Sequence, residues 1–205
     1  MIKKRKPLFR LGITGGIGSG KTSVCWVFDV LRVPVFSADR EAREIMEDDN
    51  SIIRGLNSIA GKDLYTTGNL DREELATLIF NNNILLDKVN SLVHPAVFDH
   101  FIKWSLDQTA PYVIMEAAIL FESGASKLMD RIATVVAPVE QRIERVIQRN
   151  KLSREQVMER MKNQMDDENR IKLSDYKINN SENDMILPVI LKIHNEILTI
   201  IKNQN

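Results

Sequence analysis

The run Gly15-Gly16-Ile17-Gly18-Ser19-Gly20-Lys21-Thr22 fits the pattern G-x-x-x-x-G-K-[ST], and it constrains the fold more than any other stretch of the chain. Glycines at this spacing let the backbone wrap a polyphosphate and turn N–H groups inward. The lysine reaches the outer phosphates, and the final hydroxyl can ligate a magnesium ion. Such a loop belongs between a strand and a helix. The apolar, β-branched residues 8–14 lead into it, and Val24, Val27, Phe28 and Leu31 follow at helical spacing. The helix should therefore start at the loop and aim its positive end at the phosphates. Gly15, Gly16, Ile17, Gly18, Ser19, Gly20, Lys21, Thr22 and Ser23 are the expected binding residues for a nucleoside triphosphate, with Thr22 the expected metal ligand.

A chain of 205 residues suits one sizeable α/β domain with small insertions, and it can bury a core without disulfides or metals. Its 28 basic residues balance its 28 acidic ones. No global basic field draws it to nucleic acid or to an anionic membrane, so local clusters must hold any anionic ligand. Cys25 is the single cysteine and falls on the apolar side of the helix after the loop, as a buried thiol in a reducing compartment would. No apolar stretch approaches the length of a membrane span, and the basic start Lys3-Lys4-Arg5-Lys6 runs into Pro7, not into a signal-peptide core. These features lead us to expect a cytoplasmic protein. They set no oligomeric state.

Strand-like runs at 8–14, 33–36, 112–117, 132–137 and 176–178 alternate with helical stretches, the pattern of a parallel sheet with crossover helices. About seventy residues separate the second run from the third, and most of them read as helix, so an inserted helical subdomain is expected over 40–106. Within it, Asp71 should open a helix reaching Phe80, the asparagines 81–83 should break it, and Pro95 should start another. Residues 139–148 and 153–164 form a second helical excursion, with Ser153 and Gln156 spaced as a capping box. The closing stretch 184–202 places Ile186, Val189, Ile190, Ile193, Ile197 and Ile200 on one face, suited to packing on the sheet.

In open parallel sheets ligands bind beyond the carboxyl ends of the strands. Asp39 follows Phe36 by three positions, where a general base or a substrate-hydroxyl anchor would stand, or where a cap for the helix 40–47 would. Glu116 and Glu122 follow the third strand, where a carboxylate can orient a hydrated metal or simply serve a turn. Arg142, Arg145 and Arg149 share one helix face suited to triphosphate, with Glu140 and Glu144 spaced to pair with them. His94, before Pro95, reads as a turn residue, and Arg72 stands in the first turn of its helix. Asn150-Lys151-Leu152-Ser153 lacks the carboxylate that reads guanine in N-K-x-D, which favours adenine. Asp166-Asp167-Glu168 reads as a solvated acidic run.

Taken together, these residues resemble the dephospho-coenzyme A kinase family. The matching stretches begin with residues 12–22, then Val33-Pro34-Val35-Phe36-Ser37-Ala38-Asp39 with Ala42-Arg43, and Leu70-Asp71-Arg72. His94-Pro95, Ile119-Leu120-Phe121-Glu122, Arg145 with Arg149, Arg160 with Gln164, and Ser174-Asp175-Tyr176 through Asn180 follow in order. The resemblance implies a three-layer α/β P-loop NTPase fold with about five parallel strands, a helical insert that receives coenzyme A, and a helical lid over ATP at 140–168. It implies transfer of the ATP γ-phosphoryl group, with Mg2+, to the ribose 3'-hydroxyl of dephospho-CoA. Asp39 would be the base, and Lys21 and Arg149 the charge stabilisers. Arg145, Arg149 and Asn180 would join the ATP site, with Asn180 near adenine; Asp39, Arg72, His94 and Glu116 would serve the acceptor. Two positions depart from the family's pattern: Ser37 stands where Asp is common, and Ala118 where Pro is common. A kinase for another small acceptor and a noncatalytic nucleotide switch are the rival readings.

Overall fold

The computed structural model describes residues 8–80 and 82–204. The basic start and Asn81 lie outside the described residues. Five strands form one all-parallel sheet: β1 (Phe9–Thr14), β2 (Val35–Ser37), β3 (Tyr112–Glu116), β4 (Arg131–Val136) and β5 (Tyr176–Asn179), in the order β2-β3-β1-β4-β5. Each lies within two residues of its expected place. Parallel strands need crossovers, and β1 sits at the centre because the chain first passes to one side of it and later to the other. Its carboxyl end therefore opens where the direction of winding changes, the usual ligand position in such sheets.

The alternation of β1 explains the layers. Phe9, Leu11 and Ile13 face one side, together with Tyr112, Ile114, Ala133, Val135 and Ile178. That side is covered by Val24, Cys25 and Phe28 of helix α1 (Lys21–Val30) and by Ile190, Ile193 and Ile197 of the C-terminal helix. Burial pushes the Cys25 thiol pKa up, so it is an inert core thiol. On the other side Gly12 leaves room for Leu120 and Met129, which an added Cβ would meet at 2.7 and 2.9 Å. Thr134 on that side reaches the Arg170 carbonyl at 3.4 Å and the Ser174 hydroxyl at 2.6 Å.

By contact the chain divides into two compact units. One takes in the described residues up to Ser37 and from Ser105 onward; the other is Ala38–Trp104. The second unit holds α2 (Ala38–Asp48), α3 (Asn50–Ala60), α4 (Arg72–Phe80) and most of α5 (Asn83–Leu106). Asp49 caps α3 by accepting from Ser51 and Ile52 N–H at 2.7 and 3.3 Å. Asp71 serves α4 in the same way, accepting from Glu74 N–H at 2.9 Å. Gly55 lets α3 and α5 approach closely, since a Cβ there would stand 2.6 Å from the Leu92 side chain.

Pro95 does not start a helix. It lies inside the 24-residue α5, and His94 is mid-helix, not at a turn. Proline removes one ladder hydrogen bond and crowds the preceding turn. The helix persists because Val89, Val93, Val97 and Phe101, four residues apart, are all buried.

After β4 come α6 (Val139–Asn150), α7 (Arg154–Lys162) and α8 (Asp167–Lys172); α9 (Ile186–Asn203) closes the chain. Ser153 and Gln156 form the expected capping box at the start of α7. Ile143 and Val146 of α6 and Val157 of α7 make a small core of their own, against which Ile17, Ile147, Leu152 and Met161 pack.

Candidate active site

The phosphate loop sits at the carboxyl end of β1. Ser19 N–H closes a turn onto the Gly16 carbonyl at 3.1 Å, and Gly20, at φ 91°, leads into α1. Close approach dictates the glycines. A Cβ on Gly15 would stand 2.3 Å from the Val135 carbonyl oxygen, and one on Gly18 would stand 2.4 Å from that of Arg142. Gly20 supplies no side-chain cap and the first turn of α1 carries no acidic residue, so no carboxylate there competes with an external anion for the positive end of the helix. Lys21 is buried along its stem and its ammonium donates to the Gly15 carbonyl at 3.0 Å, curling over the loop. Thr22 and Ser23 are exposed on the first turn of α1. The Ser19 hydroxyl is buried with no hydrogen-bond partner among the described residues, a cost that a ligand can relieve.

Asn180, just past β5, ties the loop to α6. Its Nδ2 donates to the Ser19 carbonyl at 2.8 Å and its own carbonyl accepts from Arg145 at 3.1 Å. A second guanidinium nitrogen of Arg145, Nη1, is buried without a partner among the described residues. Beside these residues a cavity of about 320 Å³ is lined by Val136, Ala137, Pro138, Asn179, Ser181 and Asp184.

The three arginines of α6 do not act as one solvated face. Arg142 is buried and donates to the Ile17 carbonyl at 2.9 Å and to Asp167 at 2.8 Å. Burial pulls its pKa down while Asp167 pulls it back. Arg145 faces Asn180, and Arg149 is exposed with its Nε on Asn150 at 2.8 Å. Glu140 pairs with Arg154 at 2.7 Å, not with these arginines. Nor is 166–168 simply a solvated run: Asp166 caps α8 and Asp167 bridges two arginines.

At the carboxyl ends of β2 and β3, Ser37 and Glu116 are register partners, and the Ser37 hydroxyl donates to Glu116 Oε2 at 3.2 Å. Glu122 turns away to serve the fold, accepting from Met165 N–H at 2.9 Å. Asp39 belongs to the other unit. It is the second residue of α2, not its cap, and its side chain is exposed.

In that unit Arg72 donates to Glu47 at 2.7 Å and to the Arg43 carbonyl at 3.3 Å. His94 stacks on Phe98 with centroids 6.2 Å apart, and burial lowers its pKa, so it is the neutral imidazole at physiological pH.

The dephospho-CoA kinase family model matches residues 9–185. The chain belongs to the dephospho-CoA kinase family. It is 37% identical over 185 residues to a dephospho-CoA kinase of Bacteroides fragilis, covering 90% of each protein. A crystal structure of TT1252 from Thermus thermophilus superposes with a TM-score of 0.81 at 30% identity, over 95% of this chain and 98% of that one. The dephospho-CoA kinase from Campylobacter jejuni gives a TM-score of 0.67 at 25% identity, over 92% and 96%. Against this dephospho-CoA kinase background, two loop contacts of the present chain stand outside the expected site residues. Gln164 Oε1 accepts from Ile17 N–H at 2.8 Å, and Arg142 holds the Ile17 carbonyl. Sequence spacing gave Arg142 a face and offered it Glu140 and Glu144, but not Ile17, which lies 125 residues earlier.

Proposed function

We infer that this protein transfers the γ-phosphoryl group of ATP to the ribose 3'-hydroxyl of dephospho-CoA, giving coenzyme A and ADP. The observation that carries the reading is the uncapped N-terminus of α1 beneath Lys21, in a chain of this family.

Phosphoryl transfer needs little covalent help from a protein; positioning and charge neutralisation supply most of the catalysis. The loop amides and Lys21 would hold the β- and γ-phosphates. Arg145, with its partnerless buried nitrogen, would add charge there, and Arg149 would join as the exposed part of the lid at 140–168 closes, with Arg142 and Gln164 staying on the loop. Closure over ATP would exclude water and limit its wasteful hydrolysis. The cavity beside Asn180 suits a planar base. Asp39 would accept the proton of the 3'-hydroxyl, with Arg72, neutral His94 and Glu116 on the acceptor side and the helical insert at 40–106 receiving coenzyme A.

The donor set fits magnesium. Thr22 is an exposed hydroxyl at the loop, and Glu116 is a carboxylate steadied by Ser37, both hard oxygen ligands. Among the described residues no group of three or more His, Cys, Asp or Glu could hold a metal by itself. The ion would therefore take most of its ligands from phosphates and water, with Thr22 its protein ligand and Glu116 orienting a bound water. When bound it would neutralise charge on the β- and γ-phosphates. Among the described residues no helix is long and apolar enough to cross a membrane, and the buried Cys25 thiol suits a cytoplasmic setting.

The test is ADP release from Mg-ATP with dephospho-CoA, with AMP or with no acceptor, checking the product for a new 3'-phosphate. Selective turnover of dephospho-CoA is expected. Preference for AMP would point to a nucleotide kinase, and ATP binding without acceptor-dependent turnover to a nucleotide switch.

A further inference from the structure

Ile17 is held by side chains at both of its peptide groups. Its N–H donates to Gln164 at 2.8 Å and its carbonyl accepts from Arg142 at 2.9 Å. Its side chain packs into the small core of α6 and α7 built on Ile143, Val146 and Val157. Neither peptide group is therefore left to the phosphates, so Ile17, expected among the ATP-binding residues, supports the loop instead. Ile17 instead fixes the first half of the loop to the helical hairpin that follows β4.

Arg142 is the centre of this arrangement. Its side chain is 6% exposed, and Nη1 is salt-bridged to Asp167 at 2.8 Å. The other Asp167 oxygen accepts from the fully buried Arg170 at 3.0 Å, and Arg170 reaches Glu122 at 3.5 Å. Two guanidinium groups thus meet two carboxylates, which offsets the cost of burying charge. Arg142 also packs beneath the loop: a Cβ on Gly16 would meet its guanidinium at 2.0 Å, and one on Gly18 its carbonyl oxygen at 2.4 Å. A planar fork can span Ile17 and Asp167 at once, which an ammonium cannot do with the same geometry.

We propose that Arg142 is a positioning residue for the phosphate loop, acting through the Ile17 carbonyl and supported by Gln164, so that the α6 and α7 hairpin sets the loop's nucleotide affinity. The inference rests on the ATP-binding part of the proposed function and is independent of the acceptor's identity. The carbonyl of Ile17, once released, lets the segment Gly16-Ile17-Gly18 move, and the amides that follow lose their common aim.

The experiment measures the Kd of ATP by calorimetry and amide hydrogen exchange over 15–20 in the full chain, for the wild type, Arg142→Met, Arg142→Lys and Gln164→Met. Arg142→Met leaves the Asp167 to Arg170 pair in place, so the chain is expected to fold. Its Kd for ATP should rise about tenfold and loop exchange should quicken, while the KM for dephospho-CoA at saturating ATP stays within about twofold. Lysine should restore less than half of that loss on a logarithmic scale, since it returns the charge but not the bidentate geometry. Gln164→Met should raise the Kd about threefold in the same direction, and it decides the matter alone if Arg142→Met fails to fold. ATP affinity and loop exchange at wild-type levels, with only the melting temperature lowered, would overturn the proposal, and so would full rescue by lysine. A wild-type protein that binds ATP without phosphorylating dephospho-CoA would sink the proposed acceptor and leave this test intact.

Discussion

Ser37 and Glu116 face each other at the carboxyl ends of adjacent parallel strands, with the Ser37 hydroxyl 3.2 Å from the Glu116 carboxylate. The hydroxyl is a neutral donor that steadies a half-buried negative charge. A hydrogen bond to a charged acceptor contributes about 1.5–3 kcal/mol where burial is complete, and less where water can replace it. Ser37→Ala should therefore lower kcat by about three- to tenfold without unfolding the protein. Steady-state kinetics at fixed magnesium checks this. An unchanged kcat would remove Glu116 from the magnesium and acceptor side of the mechanism.

Asp39 and Lys21 have separable roles in the proposed mechanism. Asp39→Asn keeps size and polarity but cannot take a proton, so turnover should fall by about a hundredfold or more while ATP affinity holds. Lys21→Ala should abolish turnover through loss of the outer phosphates. Near-normal turnover in the first variant would return Asp39 to a purely helical role. Retained turnover in the second would discredit the loop assignment.

Much of this arrangement was legible in the sequence, for reasons that differ by element. The five strands and the loop announced themselves because apolar runs, glycine spacing and the lysine are local signals. The capping box at Ser153 was equally local. Pro95 misled because the proline rule is local too, whereas α5 is maintained by a buried stripe, Val89 to Phe101, that only tertiary packing rewards. Arg142 was placed on the right face of α6, but its burial depends on Ile17 and on Asp167, 125 and 25 residues away, and no spacing rule reports that. Glu140 and Glu144 had the spacing to pair with the arginines of α6, yet Glu140 joined Arg154 across the helical hairpin instead.

Glu47 makes the helical unit sensitive to acid. The Leu70 N–H, at 2.9 Å, is the larger influence holding its carboxyl below the ordinary value near 4.5, and Arg72 at 2.7 Å adds to it. A carboxyl depressed in the folded state binds fewer protons there than in the unfolded chain. Its contribution to stability is therefore present above about pH 4.5 and is lost as pH falls through the folded value. Glu47→Gln should lower the melting temperature by roughly 2–4 °C at pH 7, the size expected from loss of about 1 kcal/mol of hydrogen bonding. The gap should close below the folded value, where both side chains are neutral. Because Arg72 also loses its tether, the KM for dephospho-CoA should rise at neutral pH. A gap that persists unchanged at pH 3 would contradict the assignment.

Pro95 offers a test of how α5 is held together. Proline in a helix interior costs about 3 kcal/mol relative to alanine, through the missing donor to the Ser91 carbonyl and the clash of its ring. It returns about 0.4–1 kcal/mol by restricting the unfolded chain. Pro95→Ala should thus stabilise the protein by about 2 kcal/mol, provided that the buried residues Val93 and Val97 on either side keep their places. At this chain length that is a rise in melting temperature of about 4–8 °C, measurable by calorimetry. A fall instead would mean that the surrounding side chains are fitted to a bend at Pro95, and that straightening the helix opens the core around Val93 and Val97.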